Sequence, residues 1–318
     1  MNIITTDSSH YSSIASAIRQ KLHSDNTYLP GEMASAIGQI VVGSNTLKML
    51  IDVTGNAYQM FLGCADVSFL AYPNGYSITG NAKDMSGALA LTRISRFKEE
   101  TGATYIDLSS AVYMDEMFYS CERLEEVELP NLPSVQTLSY LFRDCSVLTT
   151  ATINGLPREG CTSLSGMFAN CERLSSVTIN NNATAYIKNM SNMFYGCLCI
   201  VNSENLPDFP TSLVENMSGM FAECVYLEET PILNCQRVTN FTGMFSGCAS
   251  LKKINLRNIS SSIDISASTA YETNDLLSVM QHLNEVTVTQ TLTMGLSNLQ
   301  KLTPEQIATA TAKNWSVA

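Results

Sequence analysis

Met114-Asp115-Glu116-Met117-Phe118-Tyr119-Ser120-Cys121-Glu122-Arg123-Leu124 is the stretch whose reading decides the fold. The same phrase returns as Leu138-x-x-Leu141-Phe142-x-x-Cys145 and Leu164-x-x-Met167-Phe168-x-x-Cys171. It returns again as Met190-x-x-Met193-Phe194-x-x-Cys197, Met217-x-x-Met220-Phe221-x-x-Cys224 and Phe241-x-x-Met244-Phe245-x-x-Cys248. The cysteines stand 24, 26, 26, 27 and 24 residues apart. A fixed period of this size is the sequence signature of a solenoid, in which each unit buries its apolar face only by stacking on the next.

Each unit has two halves. After the cysteine comes Leu124-x-x-Val127-x-Leu129, then Leu174-x-x-Val177-x-Ile179 and Leu251-x-x-Ile254-x-Leu256. Alternation of this kind predicts a short strand with its apolar side inward. Before the cysteine, apolar groups at i, i+3 and i+4 predict a helical turn or two. The six phenylalanines share one phase, so they are expected to form a buried column. The cysteines share a phase too, which points to a packing role rather than a disulfide framework. Of the 10 cysteines, Cys64 makes a seventh repeat position and Cys161, Cys199 and Cys235 fall outside it.

The pattern resembles the BspA-like leucine-rich-repeat family, in which Met-x-x-Met-Phe-x-x-Cys-x-x-Leu units recur. The resemblance covers residues 110–260. It implies an α/β solenoid: a right-handed superhelix with short parallel strands on its concave face, a helical N-terminal hairpin and an α/β C-terminal cap. Earlier copies are degenerate: Met60-Phe61-Leu-Gly-Cys64, and Asp84-Met85-Ser-Gly-Ala-Leu89, which lacks its cysteine. The unit at Cys197 runs into Ile200-Val-Asn-Ser-Glu-Asn-Leu206 without a clean alternation, so a bulge or broken strand is expected there.

Three regions follow: residues 1–43 as a helical hairpin, 44–265 as the solenoid and 266–318 as the cap. The hairpin reading rests on Tyr11, Ile14, Ile18 and Leu22 at helical spacing, followed by a second amphipathic segment with Pro30 near its start. In the cap, Asn274–Leu283 reads as a helix and Thr291–Met294 as a strand. Thr303-Pro304-Glu305-Gln306 reads as a capping-box start with Pro at the first helical position. Trp315 is expected to close the end of the core. The wording His10-Tyr11-x-x-Ile14-Ala-x-Ala-Ile18-Arg19 and Thr27-Tyr28-x-Pro30-x-Glu32-Met33 resembles segments of phage and prophage tail-associated proteins of Gram-positive gut bacteria. The ending Leu302-Thr-x-x-x-Ile307-Ala-x-Ala-Thr-x-Lys313-x-Trp315 does so as well. That resemblance implies attachment to a larger assembly through residues 1–43.

A net charge of −11 gives no cationic footprint for nucleic acid or an anionic membrane. No stretch approaches the roughly 20 apolar residues of a membrane span. Met1–Asp7 shows neither the basic nor the apolar region of a signal peptide. The expectation is a chain made in the cytoplasm and virion-associated, with the cell surface as the alternative. No nucleotide, nucleophile-elbow or metal motif occurs. The histidines, His10, His23 and His282, lie away from the repeats. No catalytic residue, metal or cofactor is expected. The outward strand residues are the candidate binding face: Glu126, Glu128, Thr150, Thr152, Ser176, Thr178, Glu204, Glu229, Lys253 and Asn255. The function expected is a non-enzymatic interaction or adhesion module, borne on a phage or prophage particle and contacting a protein or other cell-surface ligand. A bacterial surface or secreted adhesin is the alternative. A cell-wall glycan hydrolase, built on the cluster Glu125, Glu126 and Glu128, is the third reading.

Overall fold

Val127 and Leu129 turn inward while Glu126 and Glu128 turn outward, as pleating requires. This strand, β5 (Glu126–Asn131), lies between β4 (Arg96–Phe97) and β6 (Thr150–Gly155), and β7 (Ser176–Ile179) completes a parallel sheet in the order β4-β5-β6-β7. The strands pair in register: Glu126 with Thr150, and Thr150 with Ser176. The computed structural model describes residues 83–92, 94–97, 108–157, 160–180 and 186–318, and the backbone of three earlier strands. Those are β1 (Ile4–Thr5), β2 (Leu50–Asp52) and β3 (Ser77–Thr79), which pair in parallel. The expected hairpin, apart from β1, lies outside the described residues, as do Cys64, His10 and His23.

The Met-x-x-Met-Phe half is not helical, which corrects the reading from spacing. With the first Met, Leu or Phe of the phrase as position 1, Cys is position 8. Positions 3 and 7 hold positive φ in every unit, from 52° at Ser120 to 77° at Gly247. Two left-handed residues in eight break an α-helix. The chain instead makes consecutive tight turns, with Met117 N–H donating to Met114 O, Tyr119 to Glu116 O and Cys121 to Phe118 O. The intervening N–H groups donate to the next unit: Glu116 to Ser139 O, Phe118 to Leu141 O and Ser120 to Arg143 O. The pattern repeats up to Glu223, with cross-unit bonds of 2.7–3.1 Å. From position 3 to position 8 the backbone donors of the units up to Cys224 are thus satisfied alternately within the unit and across to its neighbour. Three-residue turns place apolar side chains at i, i+3 and i+4 as a helix does, which is why spacing alone misleads.

The ribbon also bears on shape. Packed helices sit about 8–10 Å apart while strands sit about 4.8 Å apart. That mismatch makes a helix-backed strand face concave. From Asp84 to Ile179 both faces are joined by direct backbone hydrogen bonds, so this reason for curvature is absent there.

Between strand and ribbon lies the core, continuous from Met85 to Trp315. Phe118, Phe142, Phe168, Phe194, Phe221 and Phe245 are all fully buried. Their rings stack at centroid separations of 5.2, 5.5, 5.6, 5.7 and 6.2 Å. Phe97 meets the first ring edge-on at 5.0 Å. The repeat cysteines from Cys121 to Cys248 are buried and free; the Cys121 thiol donates to Leu89 O, and each later one donates to the phenylalanine carbonyl of the preceding unit. Cys171 reaches Phe142 O at 3.1 Å, and Cys224 reaches Phe194 O at 3.0 Å. The worn copy at Asp84–Thr92 has the same turns, and Thr92 replaces the cysteine, 3.4 Å from the Cys121 sulfur.

The strand face fails at the Cys197 unit. Val201 to Pro210 lacks alternation and contains Pro207 and Pro210, which cannot donate to a ladder. Two 3-10 turns, Ser203–Asn205 and Thr211–Leu213, stand there instead. Phe209 packs edge-on against Phe194 at 5.9 Å and fills the space an inward strand residue would take. Strand pairing resumes with β8 (Leu233–Asn234) and β9 (Leu256–Arg257).

At the C-terminal end true helices appear. β10 (Ile263–Asp264), β11 (Gln290–Thr293) and β12 (Trp315–Val317) form a parallel sheet. Its connections carry α1 (Thr273–Gln281), α2 (Leu296–Leu299) and α3 (Pro304–Thr311). Thr303 and Gln306 make the expected capping box. Trp315 is buried, and its indole N–H donates to Asn284 O at 2.8 Å. The Lys313 ammonium donates to the carbonyls of Met280, Gln281 and Leu283, at the negative end of α1.

Candidate functional site

Register gathers the outward strand residues into rows. Arg96, Glu126, Thr150 and Ser176 form one row, and Glu128, Thr152 and Thr178 form the next. The backbone fixes their spacing, so hydroxyl and carboxylate groups repeat at strand intervals along a rigid surface. Arg96 completes the first row, and its guanidinium stands 3.8 Å from the Glu126 carboxylate. A third row lies beyond. The Asn154 amide donates to Glu128 at 3.2 Å, and the Asn180 amide donates to Asn154 at 3.0 Å. These three residues, Arg96, Asn154 and Asn180, were not among the sequence candidates. Arg96 sits in a worn unit. The asparagines occupy the next outward position after Ile153 and Ile179, and that repetition was the available signal.

Glu204 does not join the rows, contrary to expectation. It sits exposed on the 3-10 turn Ser203–Asn205, because its segment forms no strand. The turn stands beside β7, and together they wall a shallow cleft of about 370 Å³ lined by Ser176–Ile179 and Glu204–Asp208.

Past the break, Glu229 pairs with Lys253 in a parallel bridge. The Glu229 carboxylate accepts from the Lys253 ammonium at 2.8 Å and from the Asn255 amide at 2.9 Å. The Lys253 hydrogen bond, and after it that of Asn255, hold its pKa below the usual carboxylate range. These three candidates therefore form one cluster, separated from the first two rows by the cleft.

Burial makes most of the described thiols unreactive. Burial pushes the thiols of Cys161, Cys235 and Cys248 up to about 12, and those of Cys171, Cys197 and Cys224 well above their usual range. Cys199 is the exposed one among the described cysteines. Glu126 and Glu128 stand on an open sheet, each already engaged by a neighbour, and lack the enclosed pairing that glycan hydrolysis uses. Among the described residues no group of three or more His, Cys, Asp or Glu is placed to hold a metal ion. No helix of the described residues is long and apolar enough to cross a membrane.

The family described as "Mycoplasma protein of unknown function, DUF285" matches residues 112–224 and 162–285, which together span more than half of the chain. The chain belongs to the DUF285 family. The DUF285 match starts just before Met114 and takes in all six copies of the phrase, so the family pattern coincides with the turn-ribbon units. Among solved structures, a leucine-rich repeat protein from Bacteroides ovatus ATCC 8483 aligns with a TM-score of 0.42 and 21% identity. That alignment covers 66% of this chain and 46% of the Bacteroides chain, so the chain spans less than half of that protein's length. No curated protein matches the chain.

Proposed function

We propose that this chain is a non-enzymatic interaction module whose strand face contacts a protein exposed on a cell surface. The observation that carries the reading is the in-register strip: Glu126–Thr150–Ser176 beside Glu128–Thr152–Thr178, with Arg96 at one end. Such a face presents donors and acceptors whose positions are set by the backbone, so little side-chain order is lost on binding. Its acidic and hydroxyl character favours a basic or polar protein surface. The phage-like wording of both termini supports particle attachment through residues 1–43, with the solenoid as the outward part.

The test uses labelled protein and intact Gram-positive gut bacteria, read by flow cytometry. The double variant Thr152→Arg, Thr178→Arg should keep its melting temperature and lose at least tenfold in cell binding. Ser246→Arg, on the ribbon face, should bind as the parent does. Equal binding by both variants would remove the strand face from the account. Particle attachment is checked by mass spectrometry of purified particles from an induced culture: the full chain should be present and a chain lacking residues 1–43 absent.

A further inference from the structure

Among the described residues, the solenoid has an open strand edge in its middle. Ser176 in β7 and Asn180 just past its end turn their N–H groups toward β6, donating to Thr149 O at 3.3 Å and Ile153 O at 2.8 Å. Parallel pairing alternates, so the N–H and C=O groups of Val177 and Ile179 face the other way. Among the described residues nothing bonds to them on that side, because the next unit forms 3-10 turns instead of a strand. In the regular units this edge is occupied: β4 is covered by β5, β5 by β6 and β6 by β7. Here it opens into the cleft between Ser176–Ile179 and Glu204–Asp208.

We propose that the outer edge of β7 is a strand-acceptor site, which takes an extended peptide segment of a partner protein carrying a basic side chain. Alternating donors and acceptors at strand spacing are complementary to an extended backbone and to little else. Pro207 and Pro210 keep the chain's own following segment from supplying that strand. The basic side chain follows from Glu204, exposed on the facing wall, and from the net charge of −11. A second copy of β7 fits less well, since pairing edge to edge would bring two Glu204 carboxylates into one cleft. The site borders the polar strip at Ser176 and Thr178 but differs from it in kind: it uses backbone edge groups, and it holds whether or not the outward side chains bind.

The experiment uses the full chain and a seven-residue synthetic peptide of alternating valine and threonine with a lysine at each end. Amide hydrogen exchange should show Val177 and Ile179 exchanging at least tenfold faster than Ser176 in the free protein. Saturating peptide should slow both by at least tenfold. Glu204→Lys should weaken peptide binding at least fivefold with the melting temperature unchanged. A peptide N-methylated at its valines should not bind. The proposal is overturned if Val177 and Ile179 are already protected in the free protein at all concentrations, which means the chain covers its own edge. Protection that grows with protein concentration overturns it in favour of a second copy. Equal binding of the N-methylated peptide overturns it because side chains, not the edge, then hold the ligand. Unchanged peptide binding by Thr152→Arg, a strip residue on β6 that does not line the cleft, leaves this site standing even where cell binding by the strip has failed.

Discussion

A buried thiol holds each joint of the stack at the residue scale. Phe142 O accepts twice, from the Cys145 N–H of its own unit and from the Cys171 thiol of the next. Alanine in that place would lose the donor, and serine would bury a more strongly polar group. The pattern predicts a simple labelling result. With a thiol reagent on the native protein, peptide mapping should find Cys199 modified quickly and Cys121, Cys145, Cys171, Cys197, Cys224 and Cys248 modified only after unfolding. Fast labelling of the six would contradict their packing role. Gly166 makes the other residue-scale case. Its φ is +58°, and an added Cβ would run into the ring of Tyr140 in the unit before. Gly166→Ala should therefore lower stability by roughly 1–3 kcal/mol, measured by urea unfolding.

At the scale of the element, the ribbon rather than the strand is the surprise. The strands, the phenylalanine column and the cysteine column were legible, because each is a matter of phase within a period. The break after Cys197 was legible from missing alternation, while Phe209 as its filling was not, since the column it joins comes from another part of the unit. The ribbon was misread because two successive three-residue turns reproduce helical spacing. Its signal lay in positions 3 and 7, where Gly87, Gly166, Gly219 and Gly243, and Asn170, Gly196 and Gly247, provide residues tolerant of positive φ. Glu116 distinguishes the two readings. It is exposed and holds φ at 57°. In a helix, Glu116→Gly would cost about 1 kcal/mol. In the ribbon it should be neutral or stabilise by up to about 1 kcal/mol, because glycine relieves the left-handed strain. Thermal denaturation of the single variant reads the sign. On the strand face, the candidates that fell on true strands came together in rows, and Glu204 fell away with its strand.

Across the whole molecule, stability is a sum of joints between neighbours, as in other solenoids. The joints from β4 to β7 are tied by the strand ladder, the ribbon ladder and the ring column between them, and at the Cys197 unit the ribbon ladder and the column do this without a strand. The last joint differs: α1, α2 and α3 replace the ribbon, and Lys313 and Trp315 fasten the cap through the carbonyls of Met280 to Asn284. Two residues of the C-terminal wording thereby acquire a structural reason. The column is what makes the chain one body, so the most direct test removes one ring from its middle. Phe168 stacks on Phe142 at 5.5 Å and on Phe194 at 5.6 Å, and it is fully buried. Phe168→Ala, followed by equilibrium urea denaturation, should lower the free energy of unfolding by roughly 3–5 kcal/mol. A loss below about 1 kcal/mol, less than burial of a large apolar side chain contributes, would mean that the ring faces water and that the units do not stack in this phase.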